Sequence, residues 1–297
     1  MYINSNSMAT QVSNNLTSHY SDLKTSTERL SSGLRVNSAA DDAAGLAIRE
    51  LMRTDIAALQ QGVRNANDAI SLIQTADGAL GIIDEKLTRM KELAEQAATG
   101  TYDSTQRLMI ESEYQAMASE ITRIANATDF NGIHLLDGNL SSDTHDGNPM
   151  TATGKMKIHF GSANDSAEDY YYIQIGTSTA SALGVGNQAL VYTTKSDART
   201  VSTQEAAQKA LVGLNAAVIS KDKIRAHLGA LQNRLENTIS NLTTQSQNLQ
   251  AAESRISDVD VATEMTSFVR NQILTQSAVA MLSQANSMPQ MAMKLIG

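Results

Sequence analysis

Residues 52–90 read MRTDIAALQQGVRNANDAISLIQTADGALGIIDEKLTRM, and this stretch decides the fold. Its apolar residues recur at alternating steps of four and three, the heptad spacing of a helix that packs along its length against another helix. One extra step of three, from Ile73 to Ala76, is a stammer that locally overwinds a coiled coil. The series is Met52, Ile56, Leu59, Val63, Ala66, Ile70, Ile73, Ala76, Leu80, Ile83, Leu87 and Met90.

A second heptad series in the C-terminal part of the chain predicts the partner of this helix. A helix over residues 43–99 would be about 85 Å long, so its apolar stripe needs a helix of similar length to cover it. Residues 202–205 (STQE) form a capping box that opens such a helix. Its series is Ile224, Leu228, Leu231, Leu235, Thr238, Leu242, Gln245, Leu249, Ala252, Ile256 and Val259.

Polar residues typical of helix N-termini mark the other helix starts. Residues 38–41 (SAAD) read as a capping box that opens the first long helix, and Asp42 adds favourable negative charge there. Asp103 is predicted to cap a helix over 104–128, which the short break at 100–103 folds back as a hairpin. Residues 257–260 (SDVD) cap a last helix, which Asn286 and Pro289 are predicted to end.

The two terminal helices have apolar stripes but few charges. A helix of this kind has little to keep it folded alone, so we expect it to order only when packed against something. The first stripe, which breaks at residues 31–33 (SSG), is Met8, Val12, Leu16, Tyr20, Leu23, Thr27, Leu30 and Leu34. The last is Met265, Phe268, Leu274, Met281, Leu282 and Ala285.

The middle of the chain changes to strand and turn signals. Asn131-Gly132, between Phe130 and Ile133, predicts a type I′ hairpin. Residues 139–155 are rich in Ser, Thr, Asp, Asn and Gly and are interpreted as an exposed loop. Apolar residues alternate over 156–160 and again over 171–175, which predicts two short strands.

These elements together predict a mainly α protein, an elongated antiparallel helical bundle or coiled coil with a small β-hairpin region. We expect a terminal coiled-coil domain from residues 1–42 with 258–297. Residues 43–140 with 200–257 form a helical rod domain, and 141–199 a reduced central β and loop region. The polymerisation seam is assigned to Leu16, Leu23, Leu30, Phe268, Leu274 and Leu282.

Composition excludes several classes of function. A net charge of −8 argues against nucleic acid or an anionic membrane as partner, because both require a basic face. The absence of cysteine excludes disulfides, thiol catalysis and cysteine zinc sites. No apolar run reaches the length of a membrane span, and the first basic residue is Lys24, so we expect no cleavable secretory signal peptide.

No enzymatic, cofactor or metal site is predicted. Residues 184–189 (GVGNQA) fit the spelling of a dinucleotide-binding loop, but no apolar strand leads into them, which favours a plain loop. Asp143, His145 and Asp146 could hold a metal weakly, although such residues in an exposed loop are usually solvated. The carboxylates Asp41 and Asp42 are interpreted as helix caps. We therefore expect no catalytic residue, no cofactor and no metal.

The sequence closely resembles bacterial flagellin. The match covers roughly residues 1–140 and 200–297, and it departs from the common pattern at the first three residues and the last four. The motifs that carry it are 4–6 (NSN), 30–48 (LSSGLRVNSAADDAAGLAI), 130–132 (FNG), 135–138 (LLDG), 202–207 (STQEAA), 228–235 (LGALQNRL), 251–258 (AAESRISD) and 284–286 (QAN).

The resemblance implies a structural subunit of the extracellular flagellar filament, exported through the flagellar type III channel and used in swimming motility. It implies that the terminal helices form the inner tube of a helical homopolymer and the long helices its outer tube. It also implies an export chaperone at the C-terminal helix, and filament-cap and hook-junction proteins as further partners. The middle part is much smaller than the outer domains of long flagellins.

A further implication concerns innate immunity. Residues 87–96 (LTRMKELAEQ) look like the flagellin segment that a Toll-like receptor contacts, and Glu113 falls at the matching position on the next helix. Arg89 and Leu93 are four residues apart and so share a helix face. The hypothesis assigns receptor contact to Arg89, Leu93 and Glu113, against the alternative that Leu93 packs inside the bundle.

Two other functions remain open at this point. The hook–filament junction protein shares the terminal architecture, although the nearly complete C-terminal block favours flagellin. A type III secreted effector or adhesin built on a coiled coil is the second alternative.

Overall fold

A computed structural model of the chain describes residues 6–142, 154–165, 168–186 and 199–296. Helices dominate these ranges, which confirms the prediction of a mainly α protein with a small β region. The helices are α1 (Ser7–Ser32), α2 (Ala43–Ala98), α3 (Ser104–Ala127), α4 (Ala180–Leu183), α5 (Gln204–Ser257) and α6 (Val261–Ile296). The strands are β1 (Asp129–Phe130), β2 (Ile133–His134), β3 (Met156–His159) and β4 (Tyr170–Ile173).

The chain forms two compact units. The terminal unit comprises Met1–Ile56 and Ser246–Gly297, and the central unit comprises Ala57–Gln245. The terminal unit therefore includes residues 43–56 of α2 and 246–257 of α5, beyond the predicted limits of the terminal domain. The predicted central region 141–199 falls inside the central unit.

The heptad seam of α2 lies in the core of the central unit. Its residues from Ala66 to Met90 are buried, except that Ile70 is half-buried. Leu72 and Ala79 are buried beside the seam, so α2 is covered on more than one face. One cluster of buried side chains unites α2 with α3, β4, α5 and residues 135–140. The long helix therefore has several partners here instead of one.

Ion pairs link α2 to α5 within the central unit. The Lys221 side chain, 2% exposed, donates to Asp84 Oδ1 at 2.6 Å and also pairs with Asp222. One turn further along α5, Arg225 donates to both carboxylate oxygens of Asp77 at 2.6 and 3.1 Å. Because each pair joins one position of α2 to one position of α5, the two pairs select a single register of these helices.

The β elements form two antiparallel hairpins. Phe130 pairs with Ile133, and the turn residues Asn131 and Gly132 have φ angles of 53° and 80°. Two positive φ angles in succession are what a type I′ turn requires, so the predicted hairpin is confirmed. Strand β3 pairs with β4, with Met156 opposite Ile173, which confirms the two predicted strands.

The segment interpreted as an exposed loop, residues 139–155, is anchored at its start. Leu140 is completely buried, and its carbonyl accepts a hydrogen bond from the Ile175 N–H at 3.2 Å. The exposed interpretation is therefore wrong at Leu140, because one apolar residue in a polar run was enough to dock it on the core. Residues 143–153 lie outside the described residues. Helix α4 was not predicted.

Helix starts are displaced by a few residues from the predicted caps. The Gly45 N–H donates to Asp42 Oδ1 at 2.8 Å, so Asp42 caps α2, while Asp41 accepts bonds from Asn37 and Ser38 in the preceding turn. Thr203 accepts from the Ala206 N–H at the start of α5. Asp103 caps α3 as predicted, and the structure adds a capping box in which Gln106 Oε1 accepts from the Asp103 N–H.

The predicted end of the last helix is wrong. Helix α6 continues through Asn286 and Pro289 to Ile296. A proline inside a helix costs about 3 kcal/mol because it removes the N–H that would bond the carbonyl four residues earlier. That carbonyl belongs to Ala285, and here it accepts a hydrogen bond from Asn6 Nδ2 at 2.8 Å. A contact from the other end of the chain thus supplies a donor that the helix itself lacks.

The close approach of Phe160, the residue after β3, to Gly62 of α2 leads to a first prediction. A Cβ at Gly62 would overlap the Phe160 carbonyl oxygen, whereas a Cβ at Gly81, on the same helix, would meet nothing within 4 Å. We expect Gly62→Ala to lower the free energy of unfolding by about 1–3 kcal/mol through overpacking. The control Gly81→Ala should raise it by about 0.5–1 kcal/mol, because alanine favours the helix. Denaturant unfolding of the monomer measures both, and equal effects would contradict the close packing.

A second prediction concerns the acid stability of the central unit. Hydrogen bonds from Arg225 hold the pKa of the Asp77 carboxyl below its ordinary value. The pair therefore stabilises the fold above the pKa of unfolded aspartate, near 4, and this contribution is lost as the pH falls through the lowered pKa. Asp77→Asn should cost about 0.2–1 kcal/mol at pH 7, since the pair is partly exposed, and progressively less as the pH falls below 4.

Thermal unfolding of the monomer from pH 2 to pH 7 measures this difference. Asp68→Asn, which removes an exposed carboxylate of the same helix, is the matched control and should change the unfolding temperature little at pH 7. A cost for Asp77→Asn that is constant across this range would rule out the ion pair as its source.

Candidate assembly surface

Helices α1 and α6 form an antiparallel pair in the terminal unit. Contacts at both ends of the pair show this arrangement. Near the end of α1, Arg29 lies 3.8 Å from Glu264 in the first turns of α6. Near the start of α1, Asn6 bonds Ala285. At the base, the Val259 N–H donates to the Gly33 carbonyl at 3.0 Å.

The side of α1 that faces inward follows a heptad spacing that differs in part from the predicted stripe. Met8 and Tyr20 were predicted on the stripe but are 55% and 54% exposed, and Thr27 is exposed as well. Smaller or polar neighbours take their places, which narrows the apolar seam. The inward residues are Ala9, Val12, Leu16, His19, Leu23, Ser26 and Leu30.

The inward side of α6 also keeps a heptad spacing, but it is poor in large apolar side chains. Among its residues only Phe268 and Leu282 are large and apolar. The Thr275 hydroxyl is buried and has no hydrogen-bond partner, which costs free energy. The series is Glu264, Phe268, Asn271, Thr275, Ala278, Leu282 and Ala285. The two helices therefore gain little from each other alone.

The residues predicted to form the polymerisation seam divide into two groups. Leu274 is 38% exposed and lies outside the contact of α6 with α1. The others are half-buried along the pair, namely Leu16, Leu23, Leu30, Phe268 and Leu282. In the single chain these five residues pack between α1 and α6. Of the six predicted seam residues, Leu274 is therefore the one that can contact another molecule without rearrangement.

The rest of α6 presents apolar side chains on every face. The helix has 36 residues, and its charged residues are Glu264, Arg270 and Lys294. A helix that is apolar all round is normally buried all round, and large exposed apolar patches mark sites of protein association. The exposed large apolar residues are Val261, Met265, Val269, Ile273, Leu274, Val279, Met281, Met288 and Met291.

Among the described residues, no helix combines the length and the hydropathy that crossing a bilayer requires.

A second candidate surface lies on α2 and α3 in the central unit. Arg89 donates to Glu113 Oε1 from Nε at 2.9 Å, and its guanidinium also pairs with Glu92 at 3.0 Å. The bonds to Glu113 and Glu92 hold the pKa of the Arg89 guanidinium above its ordinary value. Leu93 is 1% exposed and belongs to the core. The prediction that it shares an exposed face with Arg89 is therefore wrong. Of the three residues predicted to contact a receptor, Arg89 and Glu113 have exposed side chains and Leu93 does not.

The candidate cofactor and metal positions are placed as follows. Gly184 ends α4 in a left-handed conformation, so a short helix and no strand precedes the glycine-rich segment. Its residues 187–189 are outside the described residues, as are Asp143, His145 and Asp146. Within the described ranges, no group of three or more His, Asp or Glu side chains could hold a metal ion.

Comparison with known protein families matches both ends of the chain. The bacterial flagellin N-terminal helical region matches residues 3–141, and the bacterial flagellin C-terminal helical region matches residues 211–296. The chain belongs to the bacterial flagellin family. Both matched regions contribute to the α1–α6 pair, so the candidate assembly surface lies within the family's shared parts.

Individual flagellins match over the full length. The flagellar filament 33 kDa core protein of Treponema phagedenis is 40% identical over 299 residues, covering 100% of both chains. The flagellin of Bacillus subtilis strain 168 is 42% identical over 309 residues, again covering 100% of both. The crystal structure of Bacillus cereus flagellin, 28% identical, covers 64% of this chain and 94% of its own, with a TM-score of 0.46.

Proposed function

We propose that this chain polymerises into the flagellar filament and that the exposed faces of α6 are its main contact surface. As a flagellin, the chain is a structural subunit of an extracellular filament. The single observation that carries the proposal is a 36-residue helix with three charged residues that one partner helix covers on one side only. The match to a filament core protein, 40% identical over the full length of both chains, favours this function over a hook–filament junction protein or a secreted effector.

Burial of the α6 side chains supplies the driving force for assembly. Burying a fully exposed valine, isoleucine, leucine or methionine side chain stabilises by about 1.5–3 kcal/mol, and a half-exposed one gains about half of that. Among the described side chains of α6, nine such residues are exposed. Their combined burial in contacts with neighbouring copies can outweigh the entropy lost when the terminal helices become ordered. The terminal pair, weak by itself, is then stabilised by the polymer.

The form of the polymer follows from the kind of contact. A face of α6 that meets a different surface on the next copy makes a heterologous contact, and such contacts produce a helical filament when they do not close into a ring. The inner-tube position implied for α1 and α6 would remove these apolar faces from water. We propose the remaining domain assignment, with the rod formed by α2, α3 and α5, on the same basis.

The same exposed surface supports the proposed partners before and after export. An unpolymerised chain exposes the apolar faces of α6, and an export chaperone that covers them would prevent aggregation. Filament-cap and hook-junction proteins would meet the terminal helices of the subunits beside them. The function proposed for the chain itself is structural and non-enzymatic.

A third prediction tests the α6 surface. Ile273 is exposed on the side away from α1, so Ile273→Glu should leave the fold of the monomer unchanged. In a filament it would bury a charge, and we expect the critical concentration for polymerisation to rise more than about tenfold. Sedimentation and electron microscopy after seed addition measure polymerisation, and circular dichroism checks the monomer.

Ile273→Leu, which keeps the apolar side chain, is the matched control and should polymerise like the unaltered chain. Normal polymerisation of Ile273→Glu would remove this face of α6 from the contact surface. Failure of the unaltered chain to form filaments with seeds would count against the proposed function itself.

We also propose Toll-like receptor contact through the Arg89–Glu113 surface. The support is the resemblance of residues 87–96 to the receptor-binding segment and the exposure of both partners of the ion pair. Leu93 would act only by holding α2 in the core. Its replacement is therefore uninformative about binding.

A fourth prediction tests this surface. Arg89→Ala should lower receptor activation by monomeric protein at least about tenfold, because it removes a hydrogen-bonded charge from the contact. Lys91→Ala, an exposed cation on the same helix, is the control and should change activation little. A receptor-reporter cell assay measures both, and equal responses from the two variants would refute the assignment.

A further inference from the structure

The Asn6 side chain makes two hydrogen bonds that join the two ends of the chain. Its Oδ1 accepts from the Ala9 N–H at 3.1 Å, which caps α1. Its Nδ2 donates to the Ala285 carbonyl of α6 at 2.8 Å, across 279 residues of sequence. The amide orientation has one solution, because the Ala9 N–H can only donate and the Ala285 carbonyl can only accept.

Pro289 creates the acceptor for this bond. In an α-helix the carbonyl of one residue bonds the N–H of the residue four positions later, and proline has no N–H. Helix α6 runs without a break from Val261 to Ile296, so Pro289 leaves the Ala285 carbonyl without its helical donor. Ala285 is buried, so water cannot readily replace that donor.

The position of the free carbonyl makes the contact specific. Pro289 is the single proline of α6, so Ala285 supplies the one interior carbonyl of this helix that proline deprives of a donor. By contrast, the α1–α6 seam contains few large apolar residues, and repeated small or polar side chains discriminate poorly between neighbouring registers. A single bond that one register alone can form resolves that ambiguity.

We propose that Asn6 is a positioning residue for filament assembly, and that Asn6, Ala285 and Pro289 form a clasp that sets the register of α1 against α6. The inference rests on the proposed function, since it assigns the clasp a role in polymerisation. In the correct register the exposed residues of α1 and α6 form one surface for the next copy. A register shift would disrupt that surface without unfolding either helix.

The test separates the two roles of Asn6. Asn6→Ser keeps a side-chain oxygen that caps α1 but is too short to reach Ala285. Pro289→Ala restores an N–H at position 289, which gives the Ala285 carbonyl its helical donor and makes the clasp unnecessary. Asn14→Ser, at an exposed asparagine of α1, is the matched control for the substitution itself. All variants are made in the full chain, singly and in combination with Pro289→Ala.

Two measurements are made on each variant. Amide hydrogen exchange of the monomer reports protection of α6 around residue 285, and seeded sedimentation gives the critical concentration for polymerisation. We expect Asn6→Ser to raise both the exchange rate and the critical concentration by about 3–10-fold, the loss that corresponds to one hydrogen bond. In the Pro289→Ala background the same substitution should change each by less than about twofold. Asn14→Ser should change neither.

Equal effects of Asn6→Ser in both backgrounds, or no effect in either, would overturn the clasp. Faster exchange with an unchanged critical concentration would overturn its role in assembly. If the unaltered chain fails to polymerise with seeds, the proposed function fails, and the exchange measurements on the monomer still decide whether the clasp exists.

Discussion

The constraint on which the terminal unit depends is that α6 carries apolar side chains on all its faces, while α1 can cover one. The inward series of α6 includes two large apolar residues, Phe268 and Leu282, and nine others are exposed among the side chains that the structure describes. An enzyme or a small binding domain would gain nothing from such a helix, since it weakens solubility and adds little to the core. A subunit whose neighbours supply the missing cover gains its cohesion from the same residues.

The central unit differs from the terminal unit, because its long helix is covered within the single chain. There α2 is covered by α3, α5 and the segment at 135–140, and a continuous apolar cluster results. The buried ammonium of Lys221 contributes to specificity. Burial by itself would lower its pKa, but hydrogen bonds to Asp222 and Asp84 outweigh burial and leave the pKa above its ordinary value. The lysine is therefore charged at neutral pH and keeps its partner Asp84 on α2.

The two units thus set helix register by different means. In the central unit, large apolar residues and two ion pairs act together, so a slip would expose a hydrophobic row and leave charges unpaired. In the terminal pair the seam is thin, and single polar contacts at its ends, from Arg29 to Glu264 and from Asn6 to Ala285, take over that role. Weak packing with a defined register suits the proposal that neighbouring copies complete the cover of these helices.

Much of this protein was determined by its sequence alone. Heptad spacing over many turns requires long paired helices, Asn131-Gly132 requires a type I′ turn, and Asp103 with Gln106 requires a helix start, because each signal acts over a few neighbouring residues. The flagellin motifs likewise identify the family, because they are long and follow one another in a fixed order along the chain. Local signals also located the strands at 156–160 and 171–175, where alternation is clear.

The tertiary structure alone decided which side chains face inward and where α6 ends, because both depend on residues that are distant in the sequence. The periodicity of α1 could not choose between Met8 and Ala9 or between Tyr20 and His19 as inward residues, since neighbouring heptad positions differ by one residue and α6 selects between them. Leu93 is four residues from Arg89, yet it packs in the core because α2 is covered on several sides. Pro289 predicted a helix end, and the helix continues where Asn6, from the opposite end of the chain, bonds the carbonyl that proline leaves free.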